Sequence, residues 1–326
     1  MSRSIDPGLL AESLRAHPAI LSKRAIATAT LGLGLDATAA GRPGDDAAAL
    51  LTAEGFDLLA GEGFIPGFVA DDPWFAGWCG VMVNLSDIAA MGGRATALID
   101  QVWAPDAAAA APLLRGLRNA AEAYGVPLVG GHTNFAAPDL GLAVSVLGKA
   151  KRLVTSFDAR PGDVLVAAID HRGAYRNFDN FCAALDAPHA RLRGDLALLA
   201  ELAEAGLLRA GKDISQGGIV GTALMLAECS GVGIELDLEA ITPPDGVALA
   251  RWLASFPSFG FLLAVRPEHV DGICARFRAR NLVVAPIGRI IDGASVSLAA
   301  GGAVATFWNH AETPYLSLAL KEPIHA

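Results

Sequence analysis

Hydrophobic and polar positions along this chain follow two periods, one near two residues and one near three and a half. From Gly44 to Pro66, GDDAAALL and FDLLAGEGFIP are short apolar segments separated by Ala53, Glu54 and Gly55, the pattern of a strand hairpin. Pro73 then opens WFAGWCGVMVNLSDIAAMGG, where Trp78, Met82, Leu85 and Ala89 recur at helical spacing and Gly92 with Gly93 supplies the stop. ATALIDQVW reads as a strand, DAAAAAPLLRGLRNAAEAYG as an amphipathic helix closed by Gly125, and PLVGG and LGLAVSVLGKA as two more strands. The charges of KRLVTSFDARPGD, with Pro161 and Gly162, mark a connection, which places a domain boundary near residue 151. Two domains, 1–150 and 151–326, also suit a chain of 326 residues. The second half predicts a strand in PGDVLVAAID, a helix near 191–205, a loop KDISQGG leading into IVGTALMLAECSG, and a strand in GVGIELDLEAI. A helix across EHVDGICARFRAR, a strand LVVAPIGRII and a hairpin VSLAAGGAVATFW complete it.

Composition narrows the class. Hydrophobic residues make up 53% and charged residues 18%, enough apolar material for a buried core and too little charge for a disordered chain. A mean hydropathy of +0.42 raises the question of membrane insertion. Every apolar stretch is broken by Gly, Pro or a charge before the roughly 20 residues a spanning helix needs, so no membrane segment is expected. The first residues, MSRSIDPGLLAESLRAHPAILSKR, lack a compact apolar run with a cleavage site, and the expected location is the cytoplasm. Net charge is −9, with 25 Lys and Arg spread along the chain, which argues against a nucleic-acid surface. Phosphate, if bound, is expected on a small molecule and through metal. Cys79, Cys182, Cys229 and Cys274 lie far apart with no CxxC spacing and read as reduced, mostly buried thiols.

Four polar segments carry candidate chemistry. Gly44, Asp45 and Asp46 put two carboxylates at a tight turn, which is either a solvated turn or a Mg²⁺ site built from hard oxygen donors. Asn84 and Asp87 are three residues apart, hence on one face of a largely apolar helix. An acid there needs a partner: a cap, a salt bridge with Arg94 or Lys23, or a metal ion. Gly130 and Gly131, followed by His132, Thr133 and Asn134 after the strand PLV, form either a structural Gly-Gly turn or a place where backbone amides approach an anion. Asp213, Ile214, Ser215, Gln216, Gly217 and Gly218 end at a helix start, as an ordinary N-cap or a phosphate site. Walker A, GxGxxG between strand and helix, and GxSxG are all absent.

Taken in order, GDDAAAL, VNLSDIAAMGG, GGHT, ARPGD and DISQGG resemble the superfamily of aminoimidazole ribonucleotide synthase, thiamine-monophosphate kinase and selenophosphate synthetase, in an AIR synthase-related branch, over nearly the whole chain. The resemblance implies a two-domain PurM-like fold of the α+β or α/β class: a mixed N-terminal sheet with helices that pairs with its twin in a homodimer, and a C-terminal α/β domain. It implies ATP and Mg²⁺ as cofactors, with a small-molecule substrate. Carried over residue by residue, Asp45, Asp46, Glu62, Asp87 and Asp213 are the metal ligands, and Asp87 and Asp213 carry catalysis. Gly44, Asn84, Gly130, Gly131, His132, Thr133, Asn134 and Ser215 line the nucleotide.

The chain also departs from the kinase pattern. His132 stands where the kinases have the Asp of GGDT, Gln216 replaces the last Asp of DISDG, and SFPSFGFLL replaces GEDYELLF. A Mg²⁺- and ATP-dependent phosphotransferase or activating enzyme is the leading reading. A nucleotide-binding regulatory or scaffold dimer without catalysis is the alternative, and a metallohydrolase using His132 with Asp46 and Asp87 is a third.

Overall fold

The computed structural model describes residues 5–35, 42–176 and 178–317. In chain order its elements begin with α1 (Pro7–Arg15), α2 (Pro18–Ser22), α3 (Ala25–Gly32), β1 (Ala48–Thr52), β2 (Gly55–Gly63), α4 (Pro66–Asp71), α5 (Pro73–Ala90) and β3 (Arg94–Trp103). They continue with α6 (Ala107–Tyr124), β4 (Leu128–Asn134), β5 (Gly141–Ala150), β6 (Val164–Ile169), β7 (Ala174–Tyr175), β8 (Asn180–Cys182), α7 (His189–Glu204) and β9 (Ala210–Asp213). The remainder is α8 (Gly218–Ser230), β10 (Gly233–Asp237), α9 (Leu249–Ala254), β11 (Phe256–Pro257), β12 (Gly260–Val265), a 3₁₀ turn, α10 (Val270–Arg278), β13 (Val283–Ile291), β14 (Ser295–Ala300) and β15 (Ala303–Asn309).

By packing, the chain forms two units interleaved in sequence: Asp46–Leu153 with Ala184–Ala205, and Met1–Asp45 with Val154–Ala183 and Gly206–Ala326. The passage after Leu153 falls beside the connection read near residue 151. The segment before Asp46 and helix α7 pack with the unit other than the one a single cut would give them.

The unit holding α5 is built on a five-stranded mixed sheet in the order β1-β2-β5-β3-β4. The β1–β2 hairpin pairs Thr52 with Gly55 and Ala48 with Leu59, as the apolar–turn–apolar pattern predicts, and only β3 and β4 run parallel. Alternation puts Leu58, Ala60, Leu98, Val102, Leu142, Val144 and Val146 on the buried face, against which α5 packs. Helix α5 starts where Asp72 caps Phe75 N at 3.1 Å with Pro73 in the first turn, and it is buried almost all round. It crosses α6 at backbone contact: a methyl group at Gly77 would lie 2.2 Å from Leu113 O, and one at Gly116 would lie 2.0 Å from Trp74 O. Only glycines allow that crossing. Helix α7 joins this layer through Arg193, which donates to Ala123 O at 2.9 Å and Glu122 O at 2.6 Å at the end of α6, and through an ion pair between Glu204 and Arg94.

The second unit is built on a seven-stranded sheet, β15-β14-β10-β13-β6-β12-β9, in which only β10 and β14 run parallel. The largely antiparallel pairing makes the class α+β. A small sheet, β11-β8-β7, lies beyond it. Helix α8 is sequestered in the core, and its Glu228 carboxylate accepts the backbone N–H groups of Tyr315, Leu316 and Ser317 at 2.7–3.1 Å. The Tyr315 hydroxyl donates to Ile20 O at 2.7 Å, so the two ends of the described chain meet on α8. Cys79, Cys182 and Cys274 are buried, Cys229 is half-buried, and all four are free thiols.

Candidate functional site

In the first unit the hairpin leader and α5 bring two carboxylates together. Asp46 precedes β1 by two residues, Asp87 lies in the last turns of α5, and a carboxylate oxygen of each comes within 4.8 Å of the other. Asp87 is 7% exposed and Asn84, one turn earlier on the same face, is fully buried. The Asn84 amide donates to Gly80 O at 2.7 Å, while its Oδ1 accepts no hydrogen bond from the described residues. An orphaned buried carbonyl oxygen costs about 1–3 kcal/mol unless something binds it. The cap of α5 is Asp72, and Arg94 pairs with Glu204, so neither the cap nor the Arg94 bridge is what Asp87 provides. Two close carboxylates, with a buried amide oxygen one turn earlier on the same helix as Asp87, are hard oxygen donors of the kind that suit Mg²⁺. Among the described residues no histidine shares this grouping. Glu62 sits exposed on β2 opposite Val144, outside this grouping.

The glycine segment is not a turn. Gly130, Gly131, His132, Thr133 and Asn134 all belong to β4, the exposed edge strand, paired in parallel with Ile99–Trp103. The two glycines serve strand contact instead: a methyl group at Gly131 would lie 2.4 Å from Asp100 O and 2.5 Å from Asp100 Oδ1. The strand ends where Asn134 Oδ1 accepts Ala136 N at 2.8 Å. Asp100 points to the buried side between Leu98 and Val102, and burial pushes its carboxyl pKa up against a smaller opposing effect of a hydrogen bond from its own backbone.

In the second unit, KDISQGG is part strand and part loop. Lys212 and Asp213 end β9, 4% and 8% exposed, with Asp213 opposite Phe261 on β12. Ser215 is half-buried and Gln216 exposed in the loop proper. Helix α8 begins with Gly217 as an N-cap lacking any side-chain hydrogen bond, so neither Asp213 nor Ser215 caps it. Its first turn is packed over by Ala19, Ile20, Leu253 and Ala254, and Gly217, Gly218, Ile219 and Val220 are all buried. Protein, and not solvent, covers this helix start. Gly44 and Asp45 lie at the edge of the same unit, where Asp45 Oδ1 accepts Ser156 N at 2.6 Å and Gly44 O accepts Lys212 Nζ at 3.0 Å.

Asp100 and Lys212 escaped the sequence reading. Period-two alternation in ATALIDQVW puts position 100 inward with positions 98 and 102, and that signal marks the acid; the four-residue strand holding Lys212 is too short to give one.

Residues 44–150 match the family model for AIR synthase related protein, N-terminal domain, and residues 184–301 match that for AIR synthase related protein, C-terminal domain. The uncharacterised protein sll0787 of Synechocystis sp. is 45% identical over 275 residues, covering 84% of this chain and 85% of that protein. Thiamine-monophosphate kinase of Halobacterium salinarum is 29% identical over 270 residues, covering 77% of this chain and 90% of the kinase. The structure of AaThiL complexed with AMPPCP and TMP shares the fold at a TM-score of 0.65 and 22% identity, covering 83% of this chain and 91% of that one. The chain spans 44% and 46% of two T. maritima PurL chains that it also matches in fold. No helix among the described residues is long and apolar enough to cross a membrane.

Proposed function

The chain belongs to the family of AIR synthase related proteins, and from that premise we propose that it is a Mg²⁺- and ATP-dependent phosphotransferase or activating enzyme acting on a small metabolite. The observation that carries this reading is the Asp46–Asp87 carboxylate pair, with Asn84 one turn before Asp87 on the same helix, inside the segment that matches the family's N-terminal domain. A triphosphate carries about four negative charges, and a protein of net charge −9 would hold it most readily with a divalent cation to offset the repulsion. Bound Mg²⁺ supplies charge neutralisation of the phosphates. On this reading Asp46, Asp87 and the Asn84 amide hold and orient the ion, with Asp45, Glu62 and Asp213 as the further acids the family resemblance assigns to metal. Asp87 and Asp213 are each proposed as catalytic residues. Gly44, Gly130, Gly131, His132, Thr133, Asn134 and Ser215 are proposed along the nucleotide.

Nucleotide and acceptor are bound by a homodimer in this proposal, and one sheet face supports it. Opposite α5, Leu59, Leu147, Ile99 and Trp103 are 50%, 43%, 41% and 39% exposed on adjoining strands. An apolar face of that kind favours a partner over water.

Calorimetric titration with a non-hydrolysable ATP analogue tests the reading. Binding is expected with Mg²⁺ and not without it, and the Asp87→Asn variant is expected to lose it. Absence of binding in every condition overturns the assignment. Magnesium-dependent binding with no ATP turnover on any acceptor favours the non-catalytic scaffold instead.

A further inference from the structure

Helix α2, the first turns of α8 and the segment after β15 meet at one place, and all three belong to the same packing unit. Gly217 and Gly221 lie a turn apart at the start of α8, and Ile20 of α2 seats against both: a methyl group would lie 3.6 Å from Ile20 Cδ1 at Gly217 and 3.1 Å from it at Gly221. Glycine inside a helix is less favourable than alanine, and the seat for Ile20 accounts for Gly221. Burial holds little else of this stretch. Ile20 is the one buried residue of α2 and α3 buries none, whereas α1 is fixed by the buried Ala11 and Leu14 and by Arg15, which donates to Thr306 O at 2.8 Å. A segment with so few buried residues lies at the low-stability end of a fold.

The opposite end of the chain supplies the hold. Tyr315, fully buried, donates its hydroxyl to Ile20 O at 2.7 Å, in the last turn of a five-residue helix, where carbonyls lack helical partners. Burial, reinforced by the charge of Glu228, raises the Tyr315 pKa and keeps that hydroxyl a donor. Tyr315 is in turn tied to α8, because the Glu228 carboxylate accepts the consecutive N–H groups of Tyr315, Leu316 and Ser317. Ser317 makes its bond at φ +55°, a left-handed conformation that costs a serine energy and that the carboxylate sustains. Trp308 completes the fixing: its Nε1 donates to Thr313 O at 2.8 Å and its ring meets that of Tyr315 edge-on at 5.5 Å. We propose that residues 313–317 are a strap that clasps α2 over the start of α8, so that α2, with α3 behind it, is a lid whose opening uncovers Gly217 and Gly221 directly after the Asp213–Gln216 loop. The bonds set the order of dependence: the strap hangs from Glu228, and α2 hangs from the strap through Tyr315. The device does not depend on the Mg²⁺ and ATP reading above.

The test compares full-length wild type, Tyr315→Phe and Glu228→Gln by amide exchange and mass spectrometry, with circular dichroism to monitor folding. Tyr315→Phe keeps the ring against Trp308 and removes the bond to Ile20 O. Exchange is expected to quicken about 2- to 10-fold over 18–22 and 217–221, while 313–317 stays as protected as in wild type. Glu228→Gln keeps one acceptor oxygen and turns the other into a donor facing N–H groups, so all three segments are expected to quicken, by about 10-fold or more at 313–317. Unchanged exchange over 18–22 in Tyr315→Phe overturns the clasp, since α2 is then held without the strap. Faster exchange over 18–22 with 217–221 unchanged overturns the lid. Release of 313–317 in Glu228→Gln with 18–22 still protected overturns the clasp as well. Tyr315→Phe decides between these outcomes by itself if Glu228→Gln does not fold.

Discussion

At the scale of single residues, Gly131 and Asp100 are one feature seen from two strands. The inward carboxylate of β3 fills the space a side chain on β4 would need, so Gly131→Ala forces the strands apart. A loss of about 1–3 kcal/mol is expected, the usual penalty of overpacking, measured by urea denaturation. Asp100 itself responds to pH. Its folded-state pKa lies above the ordinary value of 3.8 because burial disfavours the charged form. Such a group has no effect on stability below its unfolded pKa, opposes folding progressively as pH rises through the window between unfolded and folded values, and opposes it fully above. Asp100→Asn is therefore expected to melt at a higher temperature than wild type at neutral pH, with the difference vanishing as pH falls below the carboxylate range. A constant difference across pH would mean that the carboxyl is not the cause.

At the scale of elements, helix α7 shows how packing overrides chain order. It follows the first strands of the second unit in sequence, yet Arg193 closes the carbonyl end of α6 and Glu204 pairs with Arg94, so it folds onto the layer of α5 and α6. Arg193→Ala removes two charge-assisted hydrogen bonds at an exposed position. The expected cost is about 1 kcal/mol, with faster proteolysis within 184–205 as the local check. The hairpins, α5, α6 and α10 are legible in the sequence because each has its own signal: period-two or helical spacing, Asp-Pro at the start of α5, and Gly125 in the left-handed region after α6. Strand β4 is legible only in its first part, PLVGG; its continuation through His132, Thr133 and Asn134 has no period to read and depends on pairing with β3. Strands β7, β8 and β11, of two or three residues each, have no period to read.

At the scale of the whole molecule, the apolar outer face of the five-stranded sheet supplies the testable consequence of the proposed homodimer. Replacing both Leu59 and Leu147, adjacent across β2 and β5, with Lys puts two charges in the middle of that face. Light scattering after size-exclusion chromatography is expected to report a dimer for wild type and a monomer for the double variant. A wild-type monomer would refute the pairing.

What the sequence by itself determined is the family and most elements, because five short motifs in order and two hydrophobic periods are local properties that survive without knowledge of the fold. It also supplied the acids, since a carboxylate inside an apolar helix such as α5 requires a partner wherever the helix packs. The tertiary structure alone decided which of those groups share a place. It set Asp46 beside Asp87 and Glu62 outside that pair, turned the glycine motif into an edge strand, buried the start of α8, and placed Lys212 on the carbonyl of Gly44. Each of these depends on distances between residues far apart in the chain, and such distances are set by strand register and helix packing, to which no local pattern refers.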